Sequence, residues 1–122
     1  MQMNESIENY LERILMLQKE KGIARSIDIA SELGVTKPTV SHAMKLLREN
    51  DYIMMDANNI ITLTESGMKI AQTMYERHMT LAQYLMRLGV SEKTAFADAC
   101  KMEHAVSEES FSAICAHAKG RE

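Results

Sequence analysis

The most reactive side chains of the chain lie close together in the segment Cys100-Lys-Met-Glu-His104. On a predicted helix, Cys100, Glu103 and His104 stand at i, i+3 and i+4, so they share one face. A thiolate, a carboxylate and an imidazole together form a reasonable ligand set for a divalent transition metal. A catalytic Cys–His pair is the rival interpretation. It is disfavoured because adjacent turns of one helix offer no oxyanion pocket and the sequence has no Gly-rich loop.

Two more polar residues lie on the first predicted helix, which covers residues 6 to 21. Asn9 and Glu12 stand one turn apart on the side opposite the apolar residues. By pattern alone, this side is a solvated helix back. The apolar side carries Ile7, Leu11, Ile14 and Leu15.

A long helix is predicted from about residue 65 to 88, with Thr64 as its cap, and it has a histidine in its apolar stripe. His78 stands where the spacing of three and four calls for an apolar residue. From the residues alone, a hydrogen-bonded core histidine is favoured over a metal ligand. The apolar members of the stripe are Ala71, Met74, Leu81, Leu85 and Leu88.

Residues 26 to 50 predict two short helices joined by a tight turn at Gly34, with Pro38 in the first turn of the second helix. This pattern is typical of a helix-turn-helix that places its second helix in a DNA major groove, although similar pairs occur in proteins that bind no DNA. The predicted apolar face of the first helix consists of Ile27, Ile29, Ala30 and Leu33, and that of the second consists of Val40, Met44 and Leu47.

A β-hairpin is predicted directly after this helix pair, from two strands at residues 52–56 and 60–64. It has the position of a wing, and it also closes the small core beneath the helices. Asn58 and Asn59 at its tip are candidates for contacts with the DNA backbone. The full set of candidate DNA-binding residues is Arg25, Lys37, Pro38, Thr39, Ser41, His42, Lys45, Arg48, Asn58 and Asn59.

Composition narrows the function classes. The 122 residues allow one compact domain or two small ones, and the net charge of −3 argues against a non-specific nucleic-acid coat. Tight DNA binding would then require a dimer, which doubles the phosphate contacts. No membrane span or signal peptide is apparent, and two cysteines fit a reducing compartment, so we expect a cytoplasmic protein with no membrane partner.

The order and spacing of several motifs resemble the diphtheria-toxin-repressor and manganese-transport-regulator family of metal-dependent transcription factors. The matching segments are E-N-Y-L-E-R-I, S-I-D-I-A-S-E-L-G-V-T-K-P-T-V-S, I-T-L-T-E-S-G, Y-E-R-H and A-C-K-M-E-H-A-V-S. The resemblance implies a mainly α fold, with a winged helix-turn-helix domain at residues 1–70. It implies an all-α metal-binding and dimerisation domain at residues 71–122. We expect the short, two-domain form of the family, without the SH3-like third domain that many iron-type members carry.

The resemblance also implies metal held between the first helix and the dimerisation helices. Asn9 departs from the acidic residue of manganese-type members and the Met of iron-type members. Cys100 matches the iron type, and Glu12 matches the manganese type. Ala82 and Phe96 stand where iron-type members place further ligands. The implied ligand positions are Asn9, Glu12, His78, Cys100, Glu103 and His104.

We therefore expect a homodimeric repressor of metal-uptake genes that binds a double-stranded DNA operator when activated by Fe(II). A thiolate is a softer ligand than a carboxylate and gains more from Fe(II) than from Mn(II). A manganese-responsive regulator of the same family is the first alternative. A metal-free winged-helix redox sensor that uses Cys100 is the second, and a small thiol or metal enzyme is disfavoured.

Overall fold

The computed structural model describes residues 4–119 of the chain. The chain forms two compact units, residues 1–73 and 74–122. The predicted domain bounds at residues 70 and 71 stay a prediction, and their outer ends, 1–3 and 120–122, lie outside the described residues. The fold is mainly helical with a small sheet, as predicted. Its elements are α1 (Glu5–Lys21), β1 (Ala24–Arg25), α2 (Ser26–Leu33), α3 (Lys37–Glu49), β2 (Ile53–Met55), β3 (Ile60–Leu63), α4 (Glu65–Arg87), α5 (Glu92–Ala105) and α6 (Glu108–Lys119).

Helix α1 has a defined cap at each end. The Asn4 side chain accepts a hydrogen bond from the N–H of Ile7 at 3.0 Å, which satisfies one of the free donors of the first turn. Gly22 ends the helix with a φ of 84°, a left-handed conformation that glycine adopts readily. The helix buries two apolar residues, Tyr10 and Leu17, that the sequence analysis did not include. Its buried apolar side chains are Tyr10, Leu11, Ile14, Leu15 and Leu17.

The helix-turn-helix is formed by α2 and α3. Gly34 makes the turn with a φ of 66°, and Thr36 caps α3 by accepting a hydrogen bond from the N–H of Thr39. Pro38 lies in the first turn of α3, as predicted. Since the apolar faces of both helices are buried, the pair has a core of its own. Its fully buried or nearly buried side chains are Ile29, Ala30, Val40, Met44 and Leu47.

The prediction that Ile27 belongs to this core is wrong, because 56% of its surface is exposed. Ile27 lies in the first turn of α2, and the buried side chains of this helix are Ile29 and Ala30. The buried face of α2 therefore begins at Ile29.

The wing is an antiparallel hairpin of β2 and β3, with Ile53 opposite Leu63 and Met55 opposite Ile61. Its turn is closed by Asp56, whose carboxylate accepts the N–H groups of Asn58 and Ile60 at 2.8 and 3.0 Å. Asn59 adopts a φ of 62°, a left-handed conformation that asparagine tolerates in hairpin turns.

A third strand, β1, completes the sheet in the order β1-β3-β2. Ala24 pairs with Ile61, and Arg25 pairs with Ile60. The sequence does not predict this strand, because two residues are too few to show a periodic pattern. The pairing places Arg25 on the same sheet as the wing.

The start of α4 is joined to the turn that follows α3. The Thr64 hydroxyl donates to the carbonyl of Asp51 at 2.6 Å and accepts the N–H of Gly67 at 3.1 Å, so the predicted cap is confirmed. The backbone of Gly67 lies so close to Tyr52 that a Cβ at this position would overlap the carbonyl oxygen of Tyr52. Glycine is therefore required at residue 67 by a close approach of two backbone segments.

In the second unit, Leu81 and Ala82 of α4 pack with Ala99 of α5. Four partly buried side chains surround this cluster: Phe96, Met102, Phe111 and Ile114. Leu88, assigned to the apolar stripe from the sequence, is 66% exposed. That assignment is wrong because α4 ends at Arg87, one residue before the stripe's last predicted member.

A serine precedes each of the two later helices. Ser107 caps α6 by accepting the N–H of Ser110 at 3.1 Å. Ser91 occupies the N-cap position of α5, but in the described part of the chain its side chain makes no capping hydrogen bond. Within residues 4–119, none of the helices combines the length and the apolar composition that crossing a bilayer requires.

We predict that Gly67→Ala destabilises the protein. A new methyl group meets a backbone carbonyl that cannot rotate away, and overpacking of this kind costs about 1–3 kcal/mol. The higher helix propensity of alanine offsets only about 1 kcal/mol of this loss. Urea denaturation followed by circular dichroism measures the change, with the exposed neighbour Ser66→Ala as control. An unfolding free energy at or above that of the wild type would show that the close approach imposes no constraint.

Candidate metal centre and nucleic-acid interface

His78 lies on α4 within the second unit and is 8% exposed. The ring of Phe96, on α5, lies against it with a centroid distance of 5.5 Å and a tilt of 45°. The Nδ1 atom of His78 lies 3.2 Å from Oε2 of Glu103. His78 is thus a buried histidine whose polar edge faces a carboxylate and whose ring contacts an aromatic side chain.

Glu103, on α5, has no exposed surface. Its two carboxylate oxygens face two different imidazoles, because Oε1 lies 3.3 Å from Nε2 of His104 while Oε2 faces His78. His104 stands next to Glu103 at the end of the same helix, and its side chain is almost fully buried. The arrangement holds one carboxylate between imidazoles from α4 and α5.

Cys100 completes a group of three different donors. The sulfur of Cys100, a ring nitrogen of His78 and a carboxylate oxygen of Glu103 all lie within 4.8 Å of one another. Cys100 is half-buried and does not form a disulfide. The predicted shared face of Cys100 and Glu103 is therefore present in the structure, and His78 joins that face from another helix. We call these three residues and His104 the donor cluster.

The chemistry of the donor cluster fits a divalent transition metal. Removing a carboxylate from water is costly unless positive charge and hydrogen bonds compensate for it. Imidazole, thiolate and carboxylate are the ligand types that bind first-row metals, and the burial of the cluster limits competition from water. His78, Cys100, Glu103 and His104 are the residues of the second unit that would hold such an ion.

Apolar residues occupy the two positions at which the family resemblance implies further ligands in iron-type members. Ala82 is fully buried in the packing of α4 on α5. Phe96 lies against the ring of His78. Neither side chain has a donor atom, so a second metal site of the iron type has no ligands at these two positions.

Asn9 and Glu12 lie one turn apart on α1, in the first unit. Asn9 is half-buried, whereas Glu12 is only 2% exposed. The expectation of a solvated helix back is therefore wrong for Glu12. A carboxylate with this little exposed surface needs compensating partners, as Glu103 does.

Arg77 precedes His78 on α4, and its sequence context predicts no role for it. Its Nη1 atom donates hydrogen bonds to the carbonyl oxygens of Glu103 and Val106 at 3.2 and 2.8 Å. Its guanidinium also lies 5.2 Å from the ring centroid of Phe111 on α6. Only the short motif Y-E-R-H marked this residue, and nothing in a linear motif indicates which carbonyls an arginine will reach.

All ten candidate DNA-binding residues have exposed side chains. The polar face of α3 lies opposite the buried Val40, Met44 and Leu47. The Thr39 hydroxyl is within 2.8 Å of that of Thr36, so it also takes part in the cap of α3. The exposed candidates are Arg25, Lys37, Pro38, Thr39, Ser41, His42, Lys45, Arg48, Asn58 and Asn59.

Half of these candidates line one concave surface of the first unit. Its wall is formed by residues of β1, α3 and the tip of the wing. Two apolar residues also line it: Met55 and Ile27, the exposed isoleucine of α2. Two cationic side chains beside amide groups and a hydroxyl can bind phosphate oxygens. The candidates on this surface are Arg25, Lys37, Ser41, Asn58 and Asn59.

Two family models match the chain. The N-terminal DNA-binding domain of the iron dependent repressor matches residues 2–58. The metal-binding and dimerisation domain of the same repressor matches residues 64–120. Together the two matches cover nearly the whole chain and include both the helix-turn-helix and the donor cluster.

Among proteins similar in sequence is the transcriptional regulator MntR of Escherichia coli O6:H1, 43% identical over 110 residues. The alignment covers 90% of this chain and 71% of that regulator. MntR of Geobacillus kaustophilus is 37% identical over 102 residues, covering 84% of this chain and 72% of the relative.

Solved structures show the same fold. The IdeR protein of T. acidophilum has a TM-score of 0.83 at 26% identity, covering 92% of this chain and 53% of its own. A manganese-dependent transcriptional repressor in complex with manganese has a TM-score of 0.82 at 29% identity, covering 91% of this chain and 51% of its own. The chain therefore spans about half the length of these solved chains.

Two family models match the chain, and a relative is 43% identical to it over most of its length. The members of the matched family, which includes the diphtheria-toxin repressor and MntR, are metal-dependent transcriptional regulators and not enzymes. The chain therefore belongs to the iron-dependent-repressor family.

Proposed function

We propose that this chain is a metal-dependent, DNA-binding repressor of metal-uptake genes that acts as a homodimer in the cytoplasm. The observation that carries the proposal is the donor cluster, in which Glu103 is fully buried between two imidazoles and within 4.8 Å of the Cys100 sulfur. The exposed polar face of α3 and the concave surface beside it supply the DNA-binding side of the proposal. The matched dimerisation domain supports the homodimer.

The proposed ligands are His78, Cys100, Glu103 and His104. The family resemblance adds Asn9 and Glu12, of which Asn9 is a neutral and therefore weaker donor. A divalent ion supplies positive charge to the buried carboxylate and fixes the geometry of the donors around it. The protein's own part is to bring a histidine from α4 to three donors on α5 and to exclude water with Phe96.

Metal binding and DNA binding favour each other in this proposal. If the ion stabilises the conformation that binds the operator, then the operator strengthens metal binding by the same factor, because coupling is reciprocal. A homodimer carries two copies of α3, which suits an operator with two half-sites. It also doubles the number of phosphate contacts that a chain with a net charge of −3 can make.

For the metal, we propose Fe(II), with Mn(II) able to substitute. The names of the relatives point to manganese, since two are called MntR and one solved structure is a manganese-dependent repressor. Cys100 points the other way, because thiolate donors suit softer metals and carboxylates suit Mn(II). Its place within the donor cluster is the specific observation that favours iron.

The proposal predicts that Glu103→Gln and His104→Ala each abolish metal-activated operator binding. Removal of a ligand should weaken metal affinity by more than the roughly 10–100-fold loss typical of partners outside the ligand shell. Metal affinity is measured by competition with a chelator, operator binding by fluorescence anisotropy, and the fold by circular dichroism. His117→Ala is the matched control, because His117 contacts Tyr84 on α4 and is no member of the cluster.

Two outcomes would contradict this assignment. Stoichiometric metal binding by the Glu103→Gln, His104→Ala double variant would exclude these residues as ligands. Wild-type operator binding that survives a chelator and is lost in peroxide would favour the redox sensor that uses Cys100.

For the DNA-binding face, we predict that Lys45→Ala weakens binding to all sequences and lowers the slope of log affinity against log salt by about 1 per subunit. Ser41→Ala should change the preference among operator variants, because base-edge contacts specify sequence while phosphate contacts position the protein. Lys93→Ala, an exposed lysine on α5, is the control. If both α3 variants bind a selected operator as the wild type does, α3 is not the recognition helix.

For the metal preference, we predict that Cys100→Glu shifts activation from Fe(II) towards Mn(II). Replacing the thiolate by a carboxylate removes the donor that favours the softer ion. Anaerobic titrations of operator binding with each metal measure the ratio of activating concentrations, and Cys115→Ser controls for loss of a thiol elsewhere. A wild type that responds to Mn(II) at far lower concentration than to Fe(II), or an unchanged ratio in Cys100→Glu, would refute the iron assignment.

A further inference from the structure

We infer that Arg77 is a positioning residue for the donor cluster, a role that rests on the proposed metal binding. Both the side chain and the backbone of Glu103 have contacts that hold them in place. Its carboxylate faces His78 and His104, and its backbone carbonyl accepts a hydrogen bond from Arg77 at 3.2 Å. Because Arg77 and His78 are consecutive on α4, one short stretch of that helix fixes both the side chain and the main chain of Glu103.

The need for this contact follows from where Glu103 and His104 lie. Helix α5 ends at Ala105, so both belong to its last turn, where backbone carbonyls have no partner within the helix. Arg77 satisfies two acceptors in this region, the carbonyl oxygens of Glu103 and of the C-cap residue Val106. A cation at a helix C-terminus also interacts favourably with the helix dipole. The contact thus holds the turn that is most prone to fray.

Arg77 is itself held in place from the other side. Its guanidinium lies over the ring of Phe111, on α6, at 5.2 Å from the ring centroid. Arginine combines such stacking with directed hydrogen bonds, which lysine cannot reproduce in full. The side chain therefore joins α4, the end of α5 and α6 at a point beside the donors, without being a ligand.

Arg87 provides a matched control on the same helix. Its Nη1 atom donates to the carbonyl oxygen of Ala118 at 2.9 Å, near the C-terminal end of α6. It thus makes the same kind of contact between α4 and the end of a neighbouring helix, but α6 carries none of the proposed ligands. Loss of either arginine removes hydrogen bonding to the C-terminal end of a neighbouring helix, and only loss of Arg77 should disturb the donors.

The test compares Arg77→Gln, Arg77→Lys and Arg87→Gln with the wild type, using Co(II) as the probe. Metal affinity is measured by chelator competition, and the absorption bands of bound Co(II) report on coordination geometry and on the thiolate ligand. Circular dichroism and thermal unfolding of the metal-free proteins report on the fold. We expect Arg77→Gln to weaken Co(II) binding roughly 10–100-fold and to change the Co(II) spectrum. Arg77→Lys should recover part of the affinity, and Arg87→Gln should match the wild type in both readouts.

Other results would overturn the positioning role of Arg77. A folded Arg77→Gln with wild-type affinity and spectrum overturns the inference, as does an equal loss in Arg77→Gln and Arg87→Gln, which would indicate a general effect on packing. If Arg77→Gln does not fold, the comparison of Arg77→Lys with Arg87→Gln decides in the same way. If the wild type binds no Co(II), Fe(II) or Mn(II), the proposed function itself fails, and the positioning role fails with it.

Discussion

The buried carboxylate of Glu103 is the constraint on which the second unit depends. A carboxylate without exposed surface loses its hydration, and the loss is recovered only through partners of opposite charge or strong hydrogen-bond donors. His78, His104 and the backbone contacts of Arg77 are arranged around this one residue. The small side chains of Ala82 and Ala99 let α4 and α5 pack closely beside it. A core built only for stability would place an apolar residue at this position. The free-energy cost of burying Glu103 therefore supports the proposal that this residue is a metal ligand.

Much of the local structure was predictable because its causes are local. Gly34 needs a left-handed turn, Thr64 and Ser107 cap helices, and an asparagine takes the positive φ of the wing. What failed depends on contacts distant in sequence. Strand β1 exists because Ala24 and Arg25 pair with a hairpin more than thirty residues later. Ile27 and Leu88 are apolar residues near helix ends, where a periodic pattern does not show which side has a neighbour.

In the donor cluster, too, the features set by local helix geometry were predictable and those set by tertiary packing were not. The spacing of Cys100, Glu103 and His104 on one helix predicted their shared face, since helix geometry alone determines it. Nothing in that spacing could bring in His78, which the residues alone favoured as an ordinary core histidine. Only the family resemblance assigned it as a ligand, and its place 3.2 Å from Glu103 supports that assignment. The burial of Glu12 and the contacts of Arg77 could not be predicted from the sequence either, because tertiary packing decides them.

The net charge of the chain and the charge of the concave surface proposed to bind DNA are separate quantities. A net charge of −3 describes the whole molecule, whereas at physiological salt the interaction between exposed charges decays over a distance of about 8 Å. The concave surface is lined by the two cationic side chains Arg25 and Lys37, so a phosphate placed there lies beside positive charge. Ile27 and Met55 on the same surface add apolar area that can contact deoxyribose without adding charge. Affinity that rests partly on such contacts depends less on salt, so a chain with few basic residues can bind DNA without a strongly positive net charge.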